Sequence, residues 1–304
     1  MPTDNENSMT NVKLAEKFWQ QLLTAPAISE SDKALIEAHC ETQMLSFTRS
    51  SFLAETLIQN PSFVSRIVEH YQPLEKSETL QSLGNTMSSD YLANLDNELH
   101  TVASEDDLLQ VLREFRNKEM ARITFLDVLN KQPIEISLMQ VSALADVLIN
   151  GAYHWLYQHL AARYGKPQSH NQDMHMYILG MGKLGGNELN FSSDIDLIFT
   201  YPEKGETQGG RKSVEHQQFF TKVAQKLIQA LNKVTNDGQV YRVDMRLRPF
   251  GDSGPLVMHF AALEDYYQDQ GRHWERFAMV KARVINDDNS QDVKWLKSIL
   301  HPFT

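Results

Sequence analysis

The feature that most limits how this chain can fold is a change of hydrophobic period near Gly165-Lys166-Pro167. From Val12 to about Arg163, apolar residues recur at three- and four-residue intervals, with breaks at Pro26, Pro61, Pro73 and Pro133, which predicts helix after helix. In one such run Leu108, Leu109, Leu112, Phe115, Met120, Ile123 and Leu126 form the apolar set. Arg113, Arg116, Lys118 and Arg122 between them predict a basic, solvated face. Ser29, Ser104 and Ser137 stand ahead of apolar periods as capping residues, and Asp32 and Asp107 follow the first two at the third position.

Past Gly165 the reading changes. The polar stretch to Asp173 reads as a linker, and a boundary is placed there. Met174 to Leu179 reads as a strand, Gly180 to Ser193 as a glycine-bearing turn, and Asp194 to Tyr201 as a second strand. Phe219, Val223, Leu227 and Leu231 repeat every four residues and predict an amphipathic helix over Val214 to Val234, followed by a turn at Asn236-Asp237-Gly238. Tyr241 to Arg248 alternates apolar and polar, as a half-buried strand does, and Pro249 closes it. A turn at Asp252-Ser253-Gly254-Pro255 leads to helical spacing from Ala261 through Arg283.

At 304 residues and 41% hydrophobic content, the chain can bury one large core or two medium ones, and two packed units are expected. Its 39 acidic and 29 basic residues give a formal charge of -10, which opposes sequence-blind binding to nucleic acid. The single cysteine, Cys40, supports neither a disulfide framework nor a thiolate zinc site and is read as packing in a reducing cytosol. The segment Met1 to Met9 is polar and acidic, unlike a secretion signal. No stretch reads as the ~20 apolar residues that span a bilayer, so a cytoplasmic protein without a membrane partner is expected.

The chemistry concentrates in carboxylates. Gly180-Met181-Gly182-Lys183-Leu184-Gly185-Gly186 holds four glycines in seven residues, which lets backbone N–H groups face an anion, although plain turns share this composition. Asp194 and Asp196 lie two apart on a strand and share a face. Two such carboxylates repel unless a cation joins them, and hard oxygen ligands suit Mg²⁺ or Mn²⁺; a solvated strand edge is the plain alternative. Asp244 lies on one face with Arg242, Arg246 and Arg248. If its strand neighbours that of Asp194, the three carboxylates converge into a metal-dependent phosphoryl-transfer site. Arg246 and Arg248 could then hold phosphate oxygens, unless they pair with surface acids. His154, His170, His175, His216, His259 and His273 lack zinc-site spacing, Tyr153, Trp155 and Tyr157 read as packing, and Glu264, Asp265 and Glu275 read as surface.

The glycine turn, Ser192-Ser193-Asp194-Ile195-Asp196 and a later strand aspartate together resemble the DNA polymerase β-like nucleotidyltransferase superfamily. A longer match is more specific. Gly180-Met181-Gly182-Lys183-Leu184-Gly185-Gly186-Asn187-Glu188-Leu189-Asn190-Phe191-Ser192-Ser193-Asp194-Ile195-Asp196-Leu197-Ile198-Phe199 and Val243-Asp244-Met245-Arg246-Leu247-Arg248-Pro249-Phe250-Gly251-Asp252-Ser253-Gly254-Pro255 resemble the bacterial glutamine synthetase adenylyltransferase/adenylyl-removing family. Asn190-Phe191 before the serines, and Gly271-Arg272, Trp274-Glu275-Arg276 and Met279-Val280-Lys281-Ala282-Arg283, are similar to that family's N-terminal, adenylyl-removing half. The resemblance implies an α+β, predominantly helical fold: an N-terminal helical domain over 1–165, a polymerase β-like nucleotidyltransferase domain over 166–258, and C-terminal helices over 259–304. It implies Mg²⁺-dependent phosphorolysis of the AMP on a tyrosine of glutamine synthetase, yielding ADP, with regulation by the PII signal protein. Asp194, Asp196 and Asp244 would be the catalytic metal ligands, with Gly185, Gly186, Ser193, Arg246 and Arg248 near the phosphates. The chain ends at Ile299-Leu300-His301-Pro302-Phe303-Thr304, where members of the family continue into further helices, so a truncated chain is expected. Two alternatives stand beside this reading: AMP transfer from ATP to a protein, and a docking module without catalysis.

Overall fold

The computed structural model describes residues 4–69, 80–129, 132–169 and 172–303; Pro73 and His170 lie outside them. The chain begins with helices α1 (Asp4–Leu23), α2 (Glu30–Ala38), α3 (Cys40–Arg49), α4 (Ser51–Gln59) and α5 (Phe63–Glu69). Three longer helices follow, α6 (Leu80–Leu99), α7 (Glu105–Val128) and α8 (Ile134–Tyr164). Contacts divide the chain into two compact units. One comprises residues up to Leu83 with Glu114–Val141, and the other Gly84–Arg113 with Ser142 onward. The division therefore falls within helices, whereas Gly165 marks a change of secondary structure inside the second unit.

The first unit is helical. Ser29 caps α2 by accepting from the Asp32 N–H at 3.0 Å, and its core joins Trp19, Leu22, Phe47, Leu53 and Leu57 to Phe125 of α7, with Cys40 packed at the margin. Ser137 departs from its expected role. It lies inside α8, which starts at Ile134, and its hydroxyl donates to Asp127 at 2.6 Å. Lys118 is buried, against the solvated face expected for it.

The second unit holds the sheets. The expected linker is instead a pair of antiparallel strands, β1 (Gly165–Ser169) and β2 (Gln172–Asp173). Gly165 adopts a left-handed φ of 81°, and a Cβ there would meet the Gln208 carbonyl at 2.3 Å, so the turn out of α8 requires glycine. Next come β3 (Tyr177–Gly180), the short helix α9 (Gly182–Gly185), β4 (Ile195–Tyr201), β5 (Thr207–Gly209), helix α10 (His216–Asn232), β6 (Val243–Asp244) and β7 (Val257–His259). β5 pairs with β1, and β3 and β4 pair antiparallel as the centre of the larger sheet.

The alternating run Tyr241–Arg248 is only partly a strand. β6 pairs parallel with the start of β4, the chain then swings away, and β7 takes up the same edge of β4 further along. Turning is enforced at Asp244, whose carboxylate accepts from the Arg246 N–H at 2.8 Å. α10 supplies the crossover that parallel strands need and buries Phe219, Phe220, Val223 and Leu227. Tyr153 and Tyr157 of α8 are buried and tie the helix to the strand approach, the first accepting from the Met176 N–H and the second donating to the Met174 carbonyl. α8 is long and apolar enough to cross a membrane, contrary to the sequence reading, yet 67% of its most apolar stretch is buried, as in a core helix.

Arg113 reverses the expectation of a solvated face. It is fully buried, donating to the carbonyls of Leu109, Lys233 and Gly238, and so fastens α7 to the turn after α10. The helical reading of 261–283 resolves into α11 (Phe260–Asp265), a π turn at Tyr266–Gln270, α12 (His273–Ala278) and a final 3₁₀ turn, before β8 (Arg283–Val284) and α13 (Gln291–Leu300). Glu275 is buried rather than on the surface, accepting from the Tyr266 hydroxyl and the Arg272 N–H, each at 2.8 Å.

Candidate active site

The parallel register of β4 and β6 sets Asp196 directly beside Asp244. Neighbouring strands run about 4.8 Å apart, so the two carboxylates are adjacent in space although distant in sequence. Asp194, two residues before Asp196, shares its side by the period of extended chain. All three line one cavity of about 470 Å³.

The glycine turn closes that cavity from the other side. The Met181 N–H donates to the Asp196 carbonyl at 2.9 Å, which seats the start of α9 on β4. Gly182 has a left-handed φ of 54°, and a Cβ there would lie 3.0 Å from Asp196 Oδ2. Lys183 donates to the Ser193 hydroxyl at 3.2 Å, and Ser193 donates to Asn190 at 2.6 Å, so a cation stands at the rim of the carboxylate group. Behind the turn, Arg283 binds Asp146 at 2.7 and 3.1 Å and donates to the Leu184 carbonyl at 3.0 Å, which fixes the end of α9 from within.

Electrostatics separates the three acids. Burial, then the charges of Asp244 and Asp194, pushes the Asp196 carboxyl above its ordinary range. A side-chain hydrogen bond from Arg246, at 2.5 to 3.0 Å, holds Asp244 below its ordinary range, and Arg242 pairs with Asp194. Among the described residues no three His, Cys, Asp or Glu side chains stand in ligating positions, and Asp194 and Asp244 each turn an oxygen onto one of these arginines. The donor set is nonetheless all oxygen, and its most buried member is destabilised by like charge. That chemistry fits a hard divalent cation such as Mg²⁺ or Mn²⁺.

Other expected residues fall in two groups. Ser193 and Arg246 line the cavity; Gly185, Gly186 and Arg248 do not. A Cβ on Gly185 would meet the Lys281 carbonyl at 1.9 Å, so that glycine serves close packing, and Gly186 lies against the Lys281 side chain. Arg248 donates to the Met245 carbonyl at 2.7 Å and pairs with Asp252. Sequence reasoning names Gly182 and Lys183 only as members of the glycine turn and gives neither a role of its own, although a lone lysine inside such a turn is a usable signal. His216 is buried with Nδ1 on the Glu203 carbonyl, and His259 caps α11; both roles are structural.

A family model described as glutamate-ammonia ligase adenylyltransferase matches residues 41–298. A bifunctional glutamine synthetase adenylyltransferase/adenylyl-removing enzyme of Alteromonas mediterranea is 73% identical over 318 residues, covering 100% of this chain and 32% of that protein. Enzymes of the same name from Shewanella loihica and Mannheimia haemolytica are 44% and 47% identical, covering 96% and 84% of this chain but 29% and 25% of their own lengths. The chain thus spans about a third of the length of the first of these relatives. With a family model across most of its length and a close relative across all of it, the chain belongs to the glutamate-ammonia ligase adenylyltransferase family.

Proposed function

We propose that this chain removes AMP from adenylylated glutamine synthetase by phosphorolysis, on a nucleotidyltransferase sheet of the polymerase β type and in the cytoplasm. The observation that supports this most is the parallel pairing that puts Asp196 beside Asp244 on a cavity shared with Asp194, Lys183 and Arg246. The adenylyl-removing direction, rather than AMP transfer from ATP, draws on the likeness of Asn190-Phe191 and the Trp274-Glu275-Arg276 segment to the family's N-terminal half. Regulation by the PII signal protein belongs to the same reading.

Asp194, Asp196 and Asp244 would hold Mg²⁺, or Mn²⁺, which when bound supplies Lewis-acid polarisation of phosphoryl oxygens. The remaining work falls to the chain's own cations. Lys183, at the rim, and Arg242 and Arg246, once turned from their aspartates, bind the non-bridging oxygens and align the attacking phosphate with the leaving group. An oxygen of inorganic phosphate forms a bond to the adenylyl phosphorus, and the bond from that phosphorus to the tyrosyl oxygen breaks. ADP departs, and the phenolate takes a proton from water.

The test is to incubate the chain with adenylylated glutamine synthetase, Mg²⁺ and ³²P-labelled phosphate. Labelled ADP is the expected product. Free AMP without labelled ADP contradicts phosphorolysis, and transfer of label from α-labelled ATP onto unmodified synthetase would assign the opposite direction.

A further inference from the structure

Between Asp244 and Val257 the chain leaves the edge of β4, and this excursion, with the π turn and α12, lines a second cavity of about 510 Å³. Arg246 lines both this cavity and the one that holds the aspartates, so a single side chain stands at both. Two large aromatic residues are left open on it. Phe250 is 47% exposed and sits at a left-handed φ of 63°, a conformation that bulky residues rarely adopt, with its ring 4.5 Å from that of Tyr266. Trp274, in α12, is 51% exposed. Backbone strain and exposed rings at one place mark a binding surface better than a packing accident. The wall behind is fixed, because buried Glu275 holds both the Tyr266 hydroxyl and the Arg272 N–H. The π turn, a form concentrated at functional sites, carries Gln270 to the same cavity.

We propose that this cavity receives the purine ring of the nucleotide whose phosphates lie at the aspartates, with Trp274 and Phe250 as its stacking surfaces. The inference rests on the function proposed above and extends it to the nucleobase. A protein-bound adenylyl group offers two aromatic rings, the purine and the tyrosyl ring. The tyrosyl oxygen is esterified, so that ring presents only C–H edges and offers no hydrogen bond to the exposed Ser253, Gln270 and Arg272 that line the cavity. A purine edge carries acceptors and a donor and satisfies them.

Calorimetric titration of the chain with ADP, ribose 5-phosphate and phenyl phosphate, all with Mg²⁺, tests this. Loss of one stacking surface weakens base binding by roughly ten-fold or more. Trp274→Ala, and independently Phe250→Gly, which also relieves the left-handed backbone, should weaken ADP by that factor and leave ribose 5-phosphate unchanged. Unchanged ADP affinity in both variants overturns the proposal. So does an equal loss for ribose 5-phosphate, or a loss confined to phenyl phosphate, which would make the tyrosyl ring the occupant. A wild-type chain that binds no ADP at all overturns the proposed function together with this inference.

Discussion

At the scale of single residues, Asp196 carries the strongest conflict between folding and the function proposed for it. Its carboxyl keeps its proton to higher pH when folded, chiefly through burial and then through Asp244 and Asp194. Between the ordinary value of 3.8 and the raised one, the folded state binds more protons than the unfolded chain. Stability therefore falls as pH rises through that window, and the deficit persists at neutral pH. Asp196→Asn should accordingly raise the Tm of the metal-free chain at pH 7 in calorimetry, while lowering phosphorolysis by roughly three orders of magnitude. A lowered Tm would show that the carboxylate is paired better than its surroundings indicate. Gly185 poses a different constraint. With the Lys281 carbonyl 1.9 Å from where a Cβ would stand, Gly185→Ala should cost about 3 kcal/mol in urea unfolding, and a change under about 0.5 kcal/mol would contradict the packing role.

At the scale of elements, Arg113 shows how a side chain can join distant segments. Three carbonyls on α7 and the turn after α10 accept from its guanidinium. Arg113→Met should remove the guanidinium from all three, leaving the Gly238 carbonyl its bond from the Thr235 N–H, and lower stability by about 2 kcal/mol, read as a shift of the urea midpoint with unchanged slope. What the sequence discloses here follows its local signals. The α10 stripe at Phe219, Val223, Leu227 and Leu231 and the cap at Ser29 depend on neighbours a few residues away, and both are legible. Arg113 escapes such a reading because burial of a cation depends on carbonyls more than a hundred positions along the chain. β6 is shorter than its pattern for a related reason: alternation continues through Arg248, but the hydrogen bond from the Arg246 N–H to Asp244 ends the strand. From sequence, the pairing of Asp196 with Asp244 stands only as a condition, since the two strands meet through a crossover by α10 and neither strand's own pattern names its neighbour. Composition does not separate the four glycines of the turn, whereas position along it puts Gly182 and Lys183 on the carboxylate cavity and Gly185 against the Lys281 carbonyl.

At the scale of the whole molecule, the formal charge of -10 limits partners, and the few cations at the carboxylate cavity gain meaning against that background. Micromolar chain should leave duplex DNA unshifted in a mobility assay at about 0.15 M salt; a retained complex would contradict a protein-directed role. Everything proposed for catalysis depends on Asp194, Asp196 and Asp244 accepting a divalent cation in place of Arg242 and Arg246. The most direct measurement is Mn²⁺ titration followed by electron paramagnetic resonance, on the wild-type chain and on Asp196→Asn and Asp244→Asn. Saturable Mn²⁺ binding that Mg²⁺ displaces, and that both variants lose, is the predicted result. Mn²⁺ binding by both variants equal to that of the wild type would contradict the account.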